Sequence, residues 1–284
     1  MEFELDEEQR LLRRTVRETV AKVRPQPEDR QWETYRRLGW LEAPPVELVL
    51  ILEELGYAAD PTPFLATATW FAPLAGRLPA GSGTAVLDGT GRYVLDGDRA
   101  DEVALLTPDG VTVVRGADLG AKRVDVFDPH LHVAHVDAGT LAAGVPDLAL
   151  TGLAATAVGA CRRILDLVLA HVKRRTQFGR ALGSFQAVKH KAADMYVAVE
   201  RARALTHFAA LTIAEDDPRR AGAAHMAKAA AGECQRLVFR HGLQLFGAMG
   251  FTWENELQLH LKRAQACDLL LGTASAHRKV LLTV

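Results

Sequence analysis

The stretch RRTQFGRALGSFQAVKHKAADM, residues 174–195, decides how this chain is read. It opens on Arg174 and Arg175 directly after Lys173, a run of cations of the kind that the negative end of a helix dipole stabilises by about 0.3–1 kcal/mol. Gly179 then lets the backbone turn away from the helix end, and from Ser184 the pattern predicts a second long helix. Arg175 can give paired, charge-assisted hydrogen bonds to a diphosphate, and Phe178 offers a flat face for packing. The helix dipole alone accounts for the cations, so a bound anion and a plain helix end are both open at this point.

On either side of this stretch the chain is helical from about Val145 onward. Pro146 and Asp147 open an alanine-rich helix that runs to Arg174, with no internal breaker except glycines. Further helices are expected from Ser184 to about Glu215 and from Arg219 to Phe246, with a shorter pair completing the chain. Long helices on short connections predict an antiparallel four-helix arrangement. Upstream, Gly81 to Asp137 reads differently: TAVLDG, RYVLDG, EVALLT, GVTVVRG and HLHVAHVD are short alternating runs bounded by turn signals, and predict one small antiparallel sheet. Gly81-Ser82-Gly83 lacks a third glycine and a following helix, so it is no dinucleotide fingerprint. The first region is helical again. Asp6 and Gln9 form a capping-box start, and Phe3, Leu11, Leu12, Val16 and Val20 fit one helix face. VELVLILEELG predicts another helix, stopped by Gly56 and by Pro61-Thr62-Pro63. The expected fold class is α+β, mainly α, divided into a helical region 1–79, a reduced β region 80–144 and a helical bundle 145–284.

Composition narrows the function. With 284 residues the chain can hold two or three packed units, and 49 % hydrophobic with 24 % charged residues is an ordinary globular balance. A formal net charge of −1 without a long basic run argues against nucleic acid. Cys161, Cys234 and Cys267 are widely separated, which suits a reducing compartment rather than a disulfide frame or a zinc site. The first residues lack the basic start and apolar core of a signal peptide, and glutamates break the apolar runs short of a membrane span. A soluble, cytoplasmic protein is expected. His130, His132 and His135 lack a third partner for a catalytic metal and are read as half-exposed strand residues, so no metal is expected.

Two blocks carry a family resemblance. In residues 174–195 the order R-x-Q-F-G, then F-Q seven residues after the Phe, then K-H-x-x-A-D-M, resembles the carboxy-terminal helical domain of the acyl-CoA dehydrogenases. QLFGAMGFTWENELQLHLKRA, residues 244–264, is similar to that family's Q-x-x-G-G-x-G segment, with Ala248 at the second glycine. The resemblance implies FAD as cofactor, an acyl-CoA as substrate and an electron-transfer flavoprotein as a possible electron acceptor. It also implies that Arg175, Gln177 and Phe178 grip the adenine-diphosphate half of an FAD held by a neighbouring subunit, with Gln186, Gln244 and Gly247 nearby.

The same resemblance exposes an absence. Family members remove an α-proton from the thioester with a glutamate that normally stands directly before Gly-Thr, where CDLLLGTAS (267–275) has Leu271. A second family position for the base falls near Ala149, and no acidic residue occurs between Asp147 and Asp166. Asp147, Glu254 and Asp268 remain as substitutes, each with an ordinary reading as helix cap, surface charge or helix-face charge. The family's flavin-ring loops are not visible between Leu78 and Val145. Taken together, the chain resembles the shortened, base-lacking subunits of α2β2 bacterial enzymes, many acting on steroid-derived CoA esters, with a catalytic partner chain supplying the base. The alternatives are a complete homo-oligomeric dehydrogenase with an unrecognised base, and a flavin-free structural or regulatory scaffold.

Overall fold

The computed structural model describes residues 4–139, 141–252 and 255–283; Phe3 and Glu254, both used in the sequence reading, lie outside them. Helix α1, Glu7–Val23, starts on the expected capping box. The Gln9 N–H donates to Asp6 Oδ1 at 2.8 Å, and the Asp6 N–H donates back to Gln9 Oε1 at 3.3 Å. Val16, Val20 and Val23 are its buried stripe, whereas Leu11, expected on that face, is half exposed. Helix α2, Glu28–Arg37, follows and sets Tyr35 into the core, where its ring stacks on Trp40 at 4.9 Å and its hydroxyl donates to Asp60 at 2.9 Å.

Helix α3, Pro45–Ala58, starts with proline in its first turn and is buried nearly throughout. Gly56 does not stop it. The helix ends at Ala59, which turns left-handed at φ +53°, and Gly56 serves instead as a contact point. A Cβ at Gly56 would lie 2.2 Å from the Thr156 carbonyl oxygen, and one at Gly159 would lie 2.0 Å from that of Glu53. Small residues therefore allow the backbones of α3 and the first long bundle helix to touch. Sequence pattern alone reads such a glycine as a breaker, because the partner backbone is a hundred residues away. Helix α4, Phe64–Ala66, passes through a π-turn at Thr67–Phe71 into α5, Ala72–Ala75, and buries Trp70 and Phe71 against the strands.

The β region differs from the expected single antiparallel sheet. Its strands are β1 (Gly83–Val86), β2 (Val94–Leu95), β3 (Glu102–Thr107), β4 (Gly110–Arg115), β5 (Lys122–Arg123) and β6 (Val133–His135). They form two three-stranded sheets, β1-β3-β4 and β2-β6-β5, and β1 pairs parallel to β3. The Asp88-Gly89 turn signal does not close a hairpin. Asp88 instead accepts from the N–H groups of Thr90 and Gly91, sending the chain away to the second sheet. His130 and His132 precede β6 rather than sharing a strand face, and His132 Nδ1 lies 2.9 Å from Asp98, a carboxylate partner that the sequence did not reveal.

The bundle follows its sequence reading closely: α6 (Asp147–Arg174), α7 (Gln186–Ala214), α8 (Arg220–Phe246), α9 (Leu257–Leu269) and α10 (Ala274–Leu281). Helix α6 is central, packing on α3 as well as on α7, α8 and α9. Its first half, Ala149 to Cys161, is buried on every side, and small residues there permit close approach: Gly152 faces Thr69 and Leu65, and Gly159 faces α3. A buried charge network ties the regions together: Glu53, fully buried on α3, is bonded by His207 at 2.7 Å and flanked by Arg162 and Arg203 at 3.3 and 3.2 Å. No described helix is long and apolar enough to cross a membrane.

Candidate functional site

Three helix ends meet at one end of the bundle. Helix α6 ends at Arg175, whose N–H donates to the His171 carbonyl and whose own carbonyl accepts from the Leu182 N–H, both at 2.9 Å. Between α6 and α7 the chain makes a tight hairpin of β7 (Thr176–Gln177) and β8 (Arg180–Ala181), with Gln177 opposite Arg180. Its two turn residues, Phe178 and Gly179, both have positive φ, +52° and +75°. This is the geometry of a two-residue primed turn, in which a bulky first residue is strained. Phe178 is 87 % exposed at the tip and meets Phe185 edge-on at 6.1 Å, and the Arg180 guanidinium lies 4.0 Å over the Phe185 ring.

Between this hairpin, the first turns of α7 and the end of α8 lies a cleft of about 500 Å³. Arg175, Gln177, Gln244 and Gly247, four of the residues expected at a cofactor site, line it together. Gln186 does not: it is the first residue of α7 and is exposed. Phe178 stands outside the lining, at the hairpin tip. Gly247 ends α8 at φ +65°, ψ −149°, beyond the reach of ordinary side-chain-bearing residues, and the chain then runs along the cleft rim at Ala248 and Met249.

Two further wall residues, His171 and Lys191, escaped the sequence reading. His171 stands one helical turn before Arg175 on α6, and its ring stacks on Phe246 of α8 with centroids 4.4 Å apart. Lys191 shares a face of α7 with the lining residues Ala187 and Val188 and donates from Nζ to Gln244 Oε1. The i, i+3 and i, i+4 spacing was the available signal in both cases. The floor is apolar, made by Leu182, Val188, Leu245 and Phe246, and among the described residues no carboxylate lines the cleft. Partial burial, together with the charges of Arg175 and Arg174, holds His171 below the usual imidazole range. The Arg175 guanidinium itself has no hydrogen bond or ion pair to any described residue.

These features fit the diphosphate and the attached nucleoside of FAD: cationic donors on the rim, apolar and aromatic surfaces within, and no carboxylate among the described lining residues.

The position expected of a catalytic glutamate lies elsewhere, after α9. Leu271 has a left-handed backbone, φ +57°, and packs against the bundle core. The turn around it is held from below. Lys228 is almost fully buried and donates to the carbonyls of Asp268 and Gly272 at 2.9 and 2.7 Å, and burial lowers its ammonium to about 8. Of the possible substitutes for a base, Asp268 is buried with Oδ1 accepting the Ala274 N–H at 2.9 Å, and Asp147 opens α6 with Arg220 at 3.4 Å. Both carboxylates are thus engaged in capping or pairing.

Residues 150–283 match the family model described as acyl-CoA dehydrogenase, C-terminal domain. The chain is 35 % identical over 239 residues to the acyl-CoA dehydrogenase IpdE2 of Mycolicibacterium smegmatis, a match covering 80 % of this chain and 74 % of that protein. It superposes on a chain of the ChsE4-ChsE5 complex from Mycobacterium tuberculosis with a TM-score of 0.82 at 20 % identity, covering 100 % of this chain and 98 % of the other. It superposes equally well, TM-score 0.82 at 22 % identity, on a chain of the Tcur3481-Tcur3483 steroid ACAD, covering 98 % and 97 %. The two superpositions establish a shared fold. The extent and identity of the IpdE2 match establish descent, and the chain belongs to the acyl-CoA dehydrogenase family.

Proposed function

We propose that the chain is a subunit of a heteromeric FAD-dependent acyl-CoA dehydrogenase, in which it completes the nucleotide half of a cofactor site and leaves proton abstraction to its partner. The observation that carries this reading is a pairing of presence and absence within one bundle. One end has a cationic cleft in which, among the described residues, no carboxylate takes part and Arg175 has no side-chain partner, and the turn after α9 presents Leu271 where the family's base would stand. FAD, when bound, supplies the hydride acceptor for α,β-desaturation of a CoA thioester.

Arg175 and Lys191 would hold the diphosphate, Gln177 and Gln244 would fix its orientation, and Phe178 would pack against the surface that arrives with it. Residues 80–144 serve in this reading as a reduced β domain between helical regions 1–79 and 145–284. The likeness of the fold to chains of the ChsE4-ChsE5 complex and of a steroid ACAD supports a two-chain assembly and a steroid-derived acyl group. An electron-transfer flavoprotein would take the electrons onward.

The test is co-expression of the chain with a candidate catalytic subunit, followed by absorbance and mass analysis. A yellow complex is expected, and Arg175→Ala should lower its flavin affinity by about 10- to 100-fold, the value of a lost charge-assisted hydrogen bond of about 1.5–3 kcal/mol. Flavin content unchanged by that substitution, or desaturation of an acyl-CoA by the purified single chain, sinks the proposal.

A further inference from the structure

The cleft contains one titratable group whose charge is not fixed at neutral pH. His171 lines the wall, held flat against Phe246 at 4.4 Å, and neither of its ring nitrogens is bonded to a described residue. Among the described residues the charged groups acting on it are cationic, Arg175 and Arg174 on its own helix, and Lys191 of α7 lines the same cleft. From α8, Phe246 stacks on it and the uncharged Gln244 lines the same cleft. His241, one turn before Gln244, faces Lys191, Arg240 and Asp194 and does not line the cleft.

We propose that His171 is a further ligand for the diphosphate held in this cleft, and that it takes up a proton when the dianion binds. The proposal rests on the cofactor reading above and goes beyond it in naming a residue outside the motif and a coupling to pH. In the free cleft the surrounding cations oppose an imidazolium. A diphosphate reverses that field: two negative charges arrive beside a ring already oriented by its stack, and an N–H donor on each nitrogen becomes favourable. Proton uptake on binding means that affinity rises as pH falls, between the imidazole's bound-state and free-state ionisations, and levels off outside that window.

The experiment uses the co-expressed complex, stripped of flavin and titrated calorimetrically with FAD between pH 6 and 8, in two buffers of different ionisation enthalpy. FAD suits the purpose because its diphosphate carries no group that titrates in this range. Wild-type complex is expected to take up a fraction of a proton per FAD and to bind at least about threefold more tightly at pH 6 than at pH 8, the limit being about tenfold per pH unit for one proton. His171→Gln should abolish both the uptake and the slope, and Arg175→Ala should weaken binding at every pH with the slope retained. His171→Asn serves as a second variant should the longer amide disturb the stack on Phe246. Loss of affinity on Arg175→Ala together with an undiminished slope in both histidine variants overturns the role of His171 alone. Absence of FAD binding by the wild-type complex overturns the cofactor reading and this inference with it.

Discussion

Phe178 offers a substitution in which stability and function should part. Its backbone is left-handed at φ +52° and its side chain is 87 % exposed, so the position carries strain and buries little. Phe178→Gly relieves a conformation that costs a residue with a Cβ about 1–2 kcal/mol. Against this, glycine adds about 0.5–1 kcal/mol of unfolded-state freedom, and the edge contact with Phe185, of the order of 0.5–1.5 kcal/mol, is lost. The opposing terms cancel to within about 1.5 kcal/mol, so the urea midpoint of the chain should barely move. In the assembled complex the same ring would be covered, and removing it should forfeit about 1.5–3 kcal/mol of burial, or at least about tenfold in flavin retention. The measurements are chemical denaturation of the chain and flavin-to-protein ratio of the complex after gel filtration. A chain destabilised by more than about 3 kcal/mol, with flavin retention intact, would show that the hairpin tip is structural and refute the reasoning.

Two further outcomes follow from the packing. Burial alone would raise the Glu53 carboxyl, but the His207 hydrogen bond and the Arg203 and Arg162 charges outweigh it and hold the group at about 2. Its stabilising contribution is therefore present above the unfolded carboxylate range and is lost as pH falls from about 5 toward 2. Glu53→Gln should cost about 3–5 kcal/mol at pH 7, because Arg162 and Arg203 are left short of their counter-charge, and should flatten the acid limb of stability against pH in denaturation experiments. Gly159→Ala places a Cβ 2.0 Å from the Glu53 carbonyl oxygen, so α3 and α6 must separate; a loss of at least about 1–3 kcal/mol in thermal unfolding is expected, and an unchanged midpoint would contradict the close crossing.

Much of the helical fold was legible because each signal is local. The Asp6–Gln9 box, the Pro146–Asp147 start, the break at Asp217-Pro218 and the basic end of α6 act within one or two turns of the residues that cause them, so spacing and capping chemistry suffice to read them. The convergence of the candidate site was legible in part for a different reason: Arg175, Gln177, Gln244 and Gly247 sit in two recognisable segments, and the fold places those segments around one cleft.

What the tertiary structure alone decided are the meetings between distant segments. Gly56 is a contact and not a stop, since a backbone a hundred positions away occupies the space beside it. β1 runs parallel to β3, a pairing between strands separated by β2 of the other sheet, which no local turn signal specifies. Gln186, adjacent in sequence to residues that line the cleft, is exposed and not part of its lining, while His171 and Lys191 enter it by helical phase. Sequence fixes local conformation through short-range sterics and hydrogen bonds. The electrostatic character of a site arises from side chains that converge across three helices, and convergence depends on how those helices pack.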